Sequence, residues 1–244
     1  MKRMRNLHGK VALITGGTKG IGFGIAAAFL KEGMNVAITG RNMESIREAL
    51  LLLNGEGNDA SYAIGLEADV RDYESMEHMV SQVEEEFGKI DVVVANAGVG
   101  HFGSIRDLSL TQWHETIGTN LTGAFYTLKT TVEQLIKSKG YYISISSLAG
   151  TNFFANGSAY NASKFGLTGF TQAVMLDLRS HGVKVSTIMP GSVSTHFNNN
   201  EPSEKGAWKI QIEDIGKLAV DLLHMNPRTL PSKIEVRPSM PPSH

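Results

Sequence analysis

The chain has 244 residues, with 23 lysines and arginines against 24 aspartates and glutamates, 26 glycines and no cysteine. That length allows one or two domains with a sizeable core, and the missing cysteine excludes disulfides, a thiolate nucleophile and cysteine-ligated zinc or iron–sulfur centres. The balanced charge, with a basic run only at residues 1–6, argues against nucleic acid or an anionic membrane as partner; no apolar run approaches the about 18 residues that span a bilayer, so a cytoplasmic protein is expected.

Short β-branched runs alternate with longer amphipathic stretches. In chain order they predict a strand at 11–14, a helix at 21–31, a strand at 35–39, a helix at 43–53 and a strand at 61–66. A helix at 73–87 follows, with apolar Met76, Met79, Val80 and Val83 at three- and four-residue spacing. Residues 91–95 hold three consecutive valines, as a strand buried on both faces should. A long helix is predicted over 111–137, with Trp113, Ile117, Leu121, Ala124, Phe125, Leu128, Val132, Leu135 and Ile136 on one stripe. Then come a strand at 142–146, a helix at 158–180, a strand at 184–188, a helix at 212–223 and a last strand at 234–236. This alternation predicts an α/β Rossmann fold over residues 1–237, one doubly wound parallel sheet of seven strands with helices on both faces. Residues 198–208 are rich in Asn, Glu and Ser and are expected to form a loop over a site, within a substrate loop of about 196–212. Residues 238–244, with three prolines, are expected to be a loosely held tail.

The segment Thr15-Gly16-Gly17-Thr18-Lys19-Gly20-Ile21-Gly22 joins the first strand to the first helix, where an α/β sheet places a phosphate-binding turn. Helix N-termini offer unpaired N–H groups and partial positive charge, and glycines let a pyrophosphate approach the backbone. The second strand ends in Gly40-Arg41-Asn42, with no acid to hold a ribose 2′-hydroxyl. Arg41 can pair bidentately with a 2′-phosphate and Lys19 can add a second charge, so NADPH is predicted over NADH. The alternative is that both are merely solvated charges.

Tyr160 and Lys164 open the long helix at 158–180 and stand one turn apart on one face, so a phenol and an ammonium can share a site. A phenol pKa near 10 falls toward 7 only with roughly 4 kcal/mol of differential stabilisation, at about 1.36 per unit, and a neighbouring cation in a dry site can supply it. Such a pair by itself also reads as a surface pair. Thirteen residues before Tyr160, Ser146-Ser147 ends a strand at its carboxyl edge, where ligands bind in open α/β sheets; one hydroxyl can serve a substrate carbonyl and the other a turn. Asn96-Ala97-Gly98 ends the preceding strand. Asn120 lies inside a helix and either satisfies backbone groups or organises water near the site.

Taken together, these residues resemble the short-chain dehydrogenase/reductase family in its standard subgroup, from about residue 7 to 221. The resemblance assigns the turn residues Gly16, Thr18, Lys19, Gly20, Ile21 and Gly22, with Arg41 and Asn42, to the cofactor. It places Asp69-Val70 against the adenine and Asn96-Ala97-Gly98 beside the ribose, with Ala95 replacing the family's first asparagine. It implies a catalytic tetrad of Asn120, Ser147, Tyr160 and Lys164, and it gives the nicotinamide carboxamide to the turn 190–195, through Pro190, Gly191, Val193 and Thr195. The C-terminus departs from the pattern: Ile234-Glu235-Val236-Arg237-Pro238 stands where many members carry Asp/Asn-Gly-Gly.

The resemblance implies a reductase using NADP(H), with Tyr160 as general acid, Ser147 on the carbonyl oxygen and no metal. Its best-matching substrate is a 3-oxoacyl thioester, carried as in 3-oxoacyl-acyl-carrier-protein reductases; a small ketone, sugar or steroid is the alternative. A substrate lining is expected from residues 98–102, 148–154, Asn156 and 196–208, including Phe102, Phe153 and Phe154, with His101 read as a solvated loop residue. A rival from another class is an NADP-binding regulator or scaffold without chemistry. A homotetramer is expected, a homodimer second.

Overall fold

Strands with apolar residues at every position must be covered on both faces, and the computed structural model, which describes residues 6–55 and 61–241, covers them with helices. The basic segment 1–5 and the tail residues 242–244 lie outside the described residues. Strands β1 (Val11–Ile14), β2 (Asn35–Gly40), β3 (Ala63–Glu67), β4 (Val92–Ala95), β5 (Tyr141–Ile145), β6 (Lys184–Pro190) and β7 (Lys233–Val236) form one seven-stranded sheet of order β3-β2-β1-β4-β5-β6-β7. Every pairing is parallel. The predicted Rossmann-like fold is therefore the observed one.

Side chains alternate across the sheet with period two. Ala12, Ile14, Val36, Ile38, Val92, Val94 and Ile143 face helices α1 (Gly20–Lys31), α2 (Met43–Asn54) and α7 (Ile212–His224), meeting Ile25, Phe29, Ala49, Ile215 and Ala219. Val11, Leu13, Val93, Tyr142 and Val185 face α3 (Tyr73–Phe87), α5 (Gly123–Ser138) and α6 (Ser158–Leu178), meeting Met76, Val80, Leu128, Leu167 and Val174. Each fully buried branched side chain contributes about 1.5–3 kcal/mol, so both layers are held by the same burial. Glycines set the spacing of α1 and α7: a Cβ on Gly216 would stand 2.5 Å from the Gly24 carbonyl oxygen.

The strand order reverses between β1 and β4, which opens a crevice at their carboxyl ends. Buried Asp91 closes the opposite end, accepting from Lys10 Nζ at 2.6 Å and from the Val11 amide at 3.0 Å.

One element differs from expectation. The helix predicted over 111–137 is α4 (Leu110–Ile117), a π-turn over Gly118–Thr122 and α5. One extra residue in a turn rotates the helix before it by about 100° relative to the helix after it. Ala124, Leu128 and Leu135 on α5 are accordingly buried, while Trp113 of the same predicted stripe, on α4, is exposed; Phe125, on α5 itself, is exposed at the edge of the stripe. Among the described residues no helix is long and apolar enough to cross a membrane.

Candidate active site

A cleft of about 750 Å³ runs along the carboxyl edge of the sheet. Its floor is the glycine turn. Thr15, which follows β1, and Asn96, which follows β4, stitch the crevice: Asn96 Nδ2 donates to the carbonyls of Thr15 and Gly16, both at 2.9 Å, and the Asn96 amide donates to Thr15 Oγ1 at 3.1 Å. Gly16 has φ 64°, and a Cβ there would stand 2.9 Å from Ala97 Cα; Gly20 has φ 62°. Helix α1 begins without a side-chain cap and without an acid in its first turn, so its leading N–H groups face the cleft with their partial charge uncompensated.

Gly16, Thr18, Lys19, Gly20, Ile21, Arg41, Asp69, Val70, Asn96, Ala97, Gly98, Pro190, Gly191, Val193 and Thr195 all line this cleft, as do Ser147, Tyr160 and Lys164. Three predicted residues stand elsewhere. Gly22 sits behind the turn, where a Cβ would reach within 2.5 Å of Asn96 Nδ2. Asn42 turns away and caps α2, its Oδ1 accepting from Glu44 N at 2.8 Å and Ser45 N at 3.2 Å. The first turn of α2 has orphan amides to satisfy, and an asparagine at its N-cap position is claimed by them. Asn120, inside the π-turn, is buried: its Oδ1 accepts from Val99 N at 2.8 Å, and its Nδ2 donates to Val99 O and Ser163 Oγ, both at 2.9 Å. It fixes the segment after β4 against α6.

The two serines after β5 divide as their surroundings dictate. Ser146 is buried and bonds Thr168 Oγ1 at 2.9 Å and the Lys164 carbonyl at 3.2 Å. Ser147 opens to the cleft beside Tyr160, its Oγ accepting from the Ala149 amide at 3.1 Å and donating to the Pro190 carbonyl at 3.5 Å. Burial pushes the Tyr160 phenol up from its ordinary value, and the neighbouring Ser147 hydroxyl offsets part of this. Lys164 is 4% exposed; its Nζ donates to the Ile145 carbonyl at 2.9 Å, 5.7 Å from the centre of the Tyr160 ring. Burial lowers its pKa to about 8. The surroundings within the chain thus keep Tyr160 protonated at neutral pH, where the sequence expectation is a phenol lowered toward 7.

Aromatic rings surround the phenol. Phe102 and Phe197 lie 5.3 and 5.8 Å from the Tyr160 ring centre, and Phe154 packs on Phe102 at 6.0 Å. Gly100 makes room for them, since a Cβ there would stand 2.6 Å from Phe197 Cζ. Phe153, expected in the same lining, is 86% exposed and points to solvent. Phe197 belongs to the segment after β6, which bends at Asn198 (φ 57°) and contributes Lys209 to the cleft.

The sequence reading missed Glu115 and Thr119, which line the cleft together with Lys209 of the expected substrate loop, and took His101 for a solvated residue. His101 Nε2 pairs with Glu115 Oε2 at 2.8 Å. Thr119 Oγ1 is buried in the wall with no hydrogen-bond partner among the described residues. An orphan hydroxyl, left-handed glycines that hold the backbone open and an uncapped helix start fit a phosphate-bearing dinucleotide.

Comparison with known proteins agrees with this fold. A family model described as short chain dehydrogenase matches residues 10–206. A trans-4-hydroxycyclohexanecarboxylate dehydrogenase of Sinomonas cyclohexanicum is 37% identical over 189 residues, 76% of this chain and 73% of its own. A D-beta-hydroxybutyrate dehydrogenase of Cupriavidus necator is 35% identical over 190 residues, 78% of this chain and 72% of its own. The solved structure of an alcohol dehydrogenase from the archaeon Thermococcus sibiricus, complexed with 5-hydroxy-NADP, has a TM-score of 0.89 at 27% identity, covering 96% of this chain and 99% of that one.

Proposed function

The chain belongs to the short-chain dehydrogenases, and from that premise we propose that it reduces the carbonyl of a ring-bearing ketone with NADPH, Tyr160 giving the proton. The observation that carries this reading is Tyr160 set beside Ser147 and Lys164 in a glycine-floored cleft and walled by Phe102 and Phe197, with burial holding its phenol pKa above the ordinary value. Lys19, Arg41, Asp69, Val70 and the turns at 16–22, 96–98 and 190–195 would hold the dinucleotide, which supplies the hydride when bound. Support for its 2′-phosphorylated form comes from Arg41 at the end of β2 and from the NADP-type ligand of the Thermococcus sibiricus relative.

Ser147 donates to the carbonyl oxygen and orients it. Tyr160 then transfers its proton to the alkoxide that forms there, and the nearby Lys164 ammonium stabilises the phenolate left behind. Asn120 acts at a distance, by holding the Val99 segment in place. Flat aromatic walls favour a compact ring, as does the cyclohexane substrate in the name of the Sinomonas relative.

A 3-oxoacyl thioester is the second reading. It is supported by the relative named for beta-hydroxybutyrate and by Lys209 in the cleft, a cation suited to a phosphate-bearing carrier arm. NADPH oxidation is to be followed with substituted cyclohexanones and with acetoacetyl thioesters. Turnover on the ring ketones, lowered roughly 10²–10⁴-fold by Tyr160→Phe, is the expected result. Preference for the thioesters selects the second reading. NADPH binding without turnover of any of these makes the protein a cofactor-binding regulator.

A further inference from the structure

We propose that Glu115 sets how strongly this site discriminates for a 2′-phosphorylated cofactor, by holding a carboxylate against the arginine that receives the phosphate. This rests on the proposed role of Arg41 as the residue that takes the 2′-phosphate.

Arg41 follows β2 and Glu115 lies on α4, and the fold brings them together: Arg41 Nη1 stands 3.9 Å from Glu115 Oε1. The other carboxylate oxygen is occupied by His101 Nε2 at 2.8 Å. Two acids line the cleft among the described residues, Asp69 and Glu115, and they differ in how they are matched. Asp69 forms a close pair with Arg71, Nη2 to Oδ2 at 2.5 Å. Apart from the His101 imidazole, Glu115 has no lysine or arginine within hydrogen-bond reach among the described residues. Its interaction with Arg41 is beyond hydrogen-bond length, and both side chains are partly solvated, Arg41 at 56% and Glu115 at 29%.

A phosphate that bonds the Arg41 guanidinium therefore approaches a standing negative charge across that same guanidinium. The carboxylate withdraws part of the attraction that Arg41 offers to a phosphate and leaves an unphosphorylated ribose unaffected. Glu115 is then a specificity-determining residue that moderates the preference for NADPH. The competing role is a purely structural one, a clip from α4 to His101 that steadies the segment before Phe102. Glu115→Gln separates the two, because the amide oxygen still accepts from His101 while the charge is gone.

The experiment measures dissociation constants of adenosine 2′,5′-bisphosphate and of 5′-AMP, which differ by the 2′-phosphate, on the wild type, Glu115→Gln and Arg41→Gln. Glu115→Gln should tighten the bisphosphate by about three- to tenfold at low salt, and the gain should shrink in 0.5 M salt, as expected of a few-ångström charge–charge effect at the surface. Binding of 5′-AMP should stay within about twofold. Arg41→Gln should weaken the bisphosphate by about tenfold or more and spare 5′-AMP. If Arg41→Gln weakens the bisphosphate but Glu115→Gln leaves it unchanged or weaker, the role of Glu115 is overturned. Equal loss of both ligands in Glu115→Gln assigns it the structural clip instead. If Arg41→Gln has no effect on the bisphosphate, the assignment of Arg41 fails and the proposal for Glu115 falls with it.

Discussion

Lys164 shows what a buried charge costs a fold. It is buried, with one hydrogen bond to the Ile145 carbonyl, and its pKa falls from the ordinary 10.5 to about 8. Between those two values the unfolded chain holds a proton that the folded chain has released, so stability rises with pH through this window. Below about pH 8 the whole penalty is present, and it amounts to about 3 kcal/mol at roughly 1.36 per unit. Lys164→Met should therefore raise the melting temperature at pH 7 while abolishing turnover, and the gain should narrow as pH climbs from 8 to 10.5. Calorimetry at pH 7 and pH 10 checks this; an equal gain at both values would remove desolvation as the cause. The same scale shows where reading residues alone stops. Ser147 and Ser146 are adjacent and chemically identical, and only the inward bonds of Ser146 to Thr168 and Lys164 separate a scaffold hydroxyl from one that faces the cleft. Asn42 is expected at the cofactor because it follows Arg41, yet the amides of α2 take its side chain.

At the level of elements, the strands were legible because burial on both faces leaves runs such as Val92-Val93-Val94, and the glycine turn because its position after β1 fixes its use. The π-turn was not legible, since one extra residue in a helix has no composition of its own. Its effect is plain in the phase of the two helices it joins, with Trp113 on α4 thrown outward from a stripe that stays inward at Ala124, Leu128 and Leu135 on α5. Glu115 escaped for a related reason: its approach to Arg41 joins a residue just after β2 to one on α4, far apart in sequence, which no local pattern records. Helix packing also sets the sign of the next prediction. In an isolated helix, alanine in place of glycine is favourable by about 1 kcal/mol. At Gly216 the added Cβ would stand 2.5 Å from the Gly24 carbonyl oxygen and 3.0 Å from Ala28 Cβ, and backbone cannot yield as a flexible side chain can. Gly216→Ala should thus destabilise by about 1–3 kcal/mol, the range for overpacking a tight contact, as read from urea unfolding midpoints at unchanged slope. Stabilisation by about 1 kcal/mol would mean that propensity outweighs the contact between α1 and α7.

At the scale of the molecule, the two faces of the sheet are closed but the outer surface of one helical layer is not polar. Phe125 on α5 and Phe165 and Leu176 on α6 are 44%, 42% and 60% exposed, and Phe125 meets Phe170 edge-on across the two helices at 6.2 Å. Scattered apolar residues on a surface need no explanation, but aromatic side chains shared between two neighbouring long helices favour burial against a second surface. A parallel pair of helices presenting the same residues can meet its own copy across a two-fold axis, which closes an assembly without leaving the patch exposed. The expected state is a homotetramer, with a homodimer as the smaller alternative. Light scattering at micromolar concentration should give four times the 26.4 kDa chain mass, or twice it. Replacing Phe125 and Phe165 together by glutamate should shift the mass downward and leave the far-ultraviolet circular dichroism unchanged, because both side chains are already partly solvated and neither belongs to the core. If the wild type runs as a monomer, these helices are a tolerated apolar surface, and the reductase works from a single chain whose cleft is complete within it.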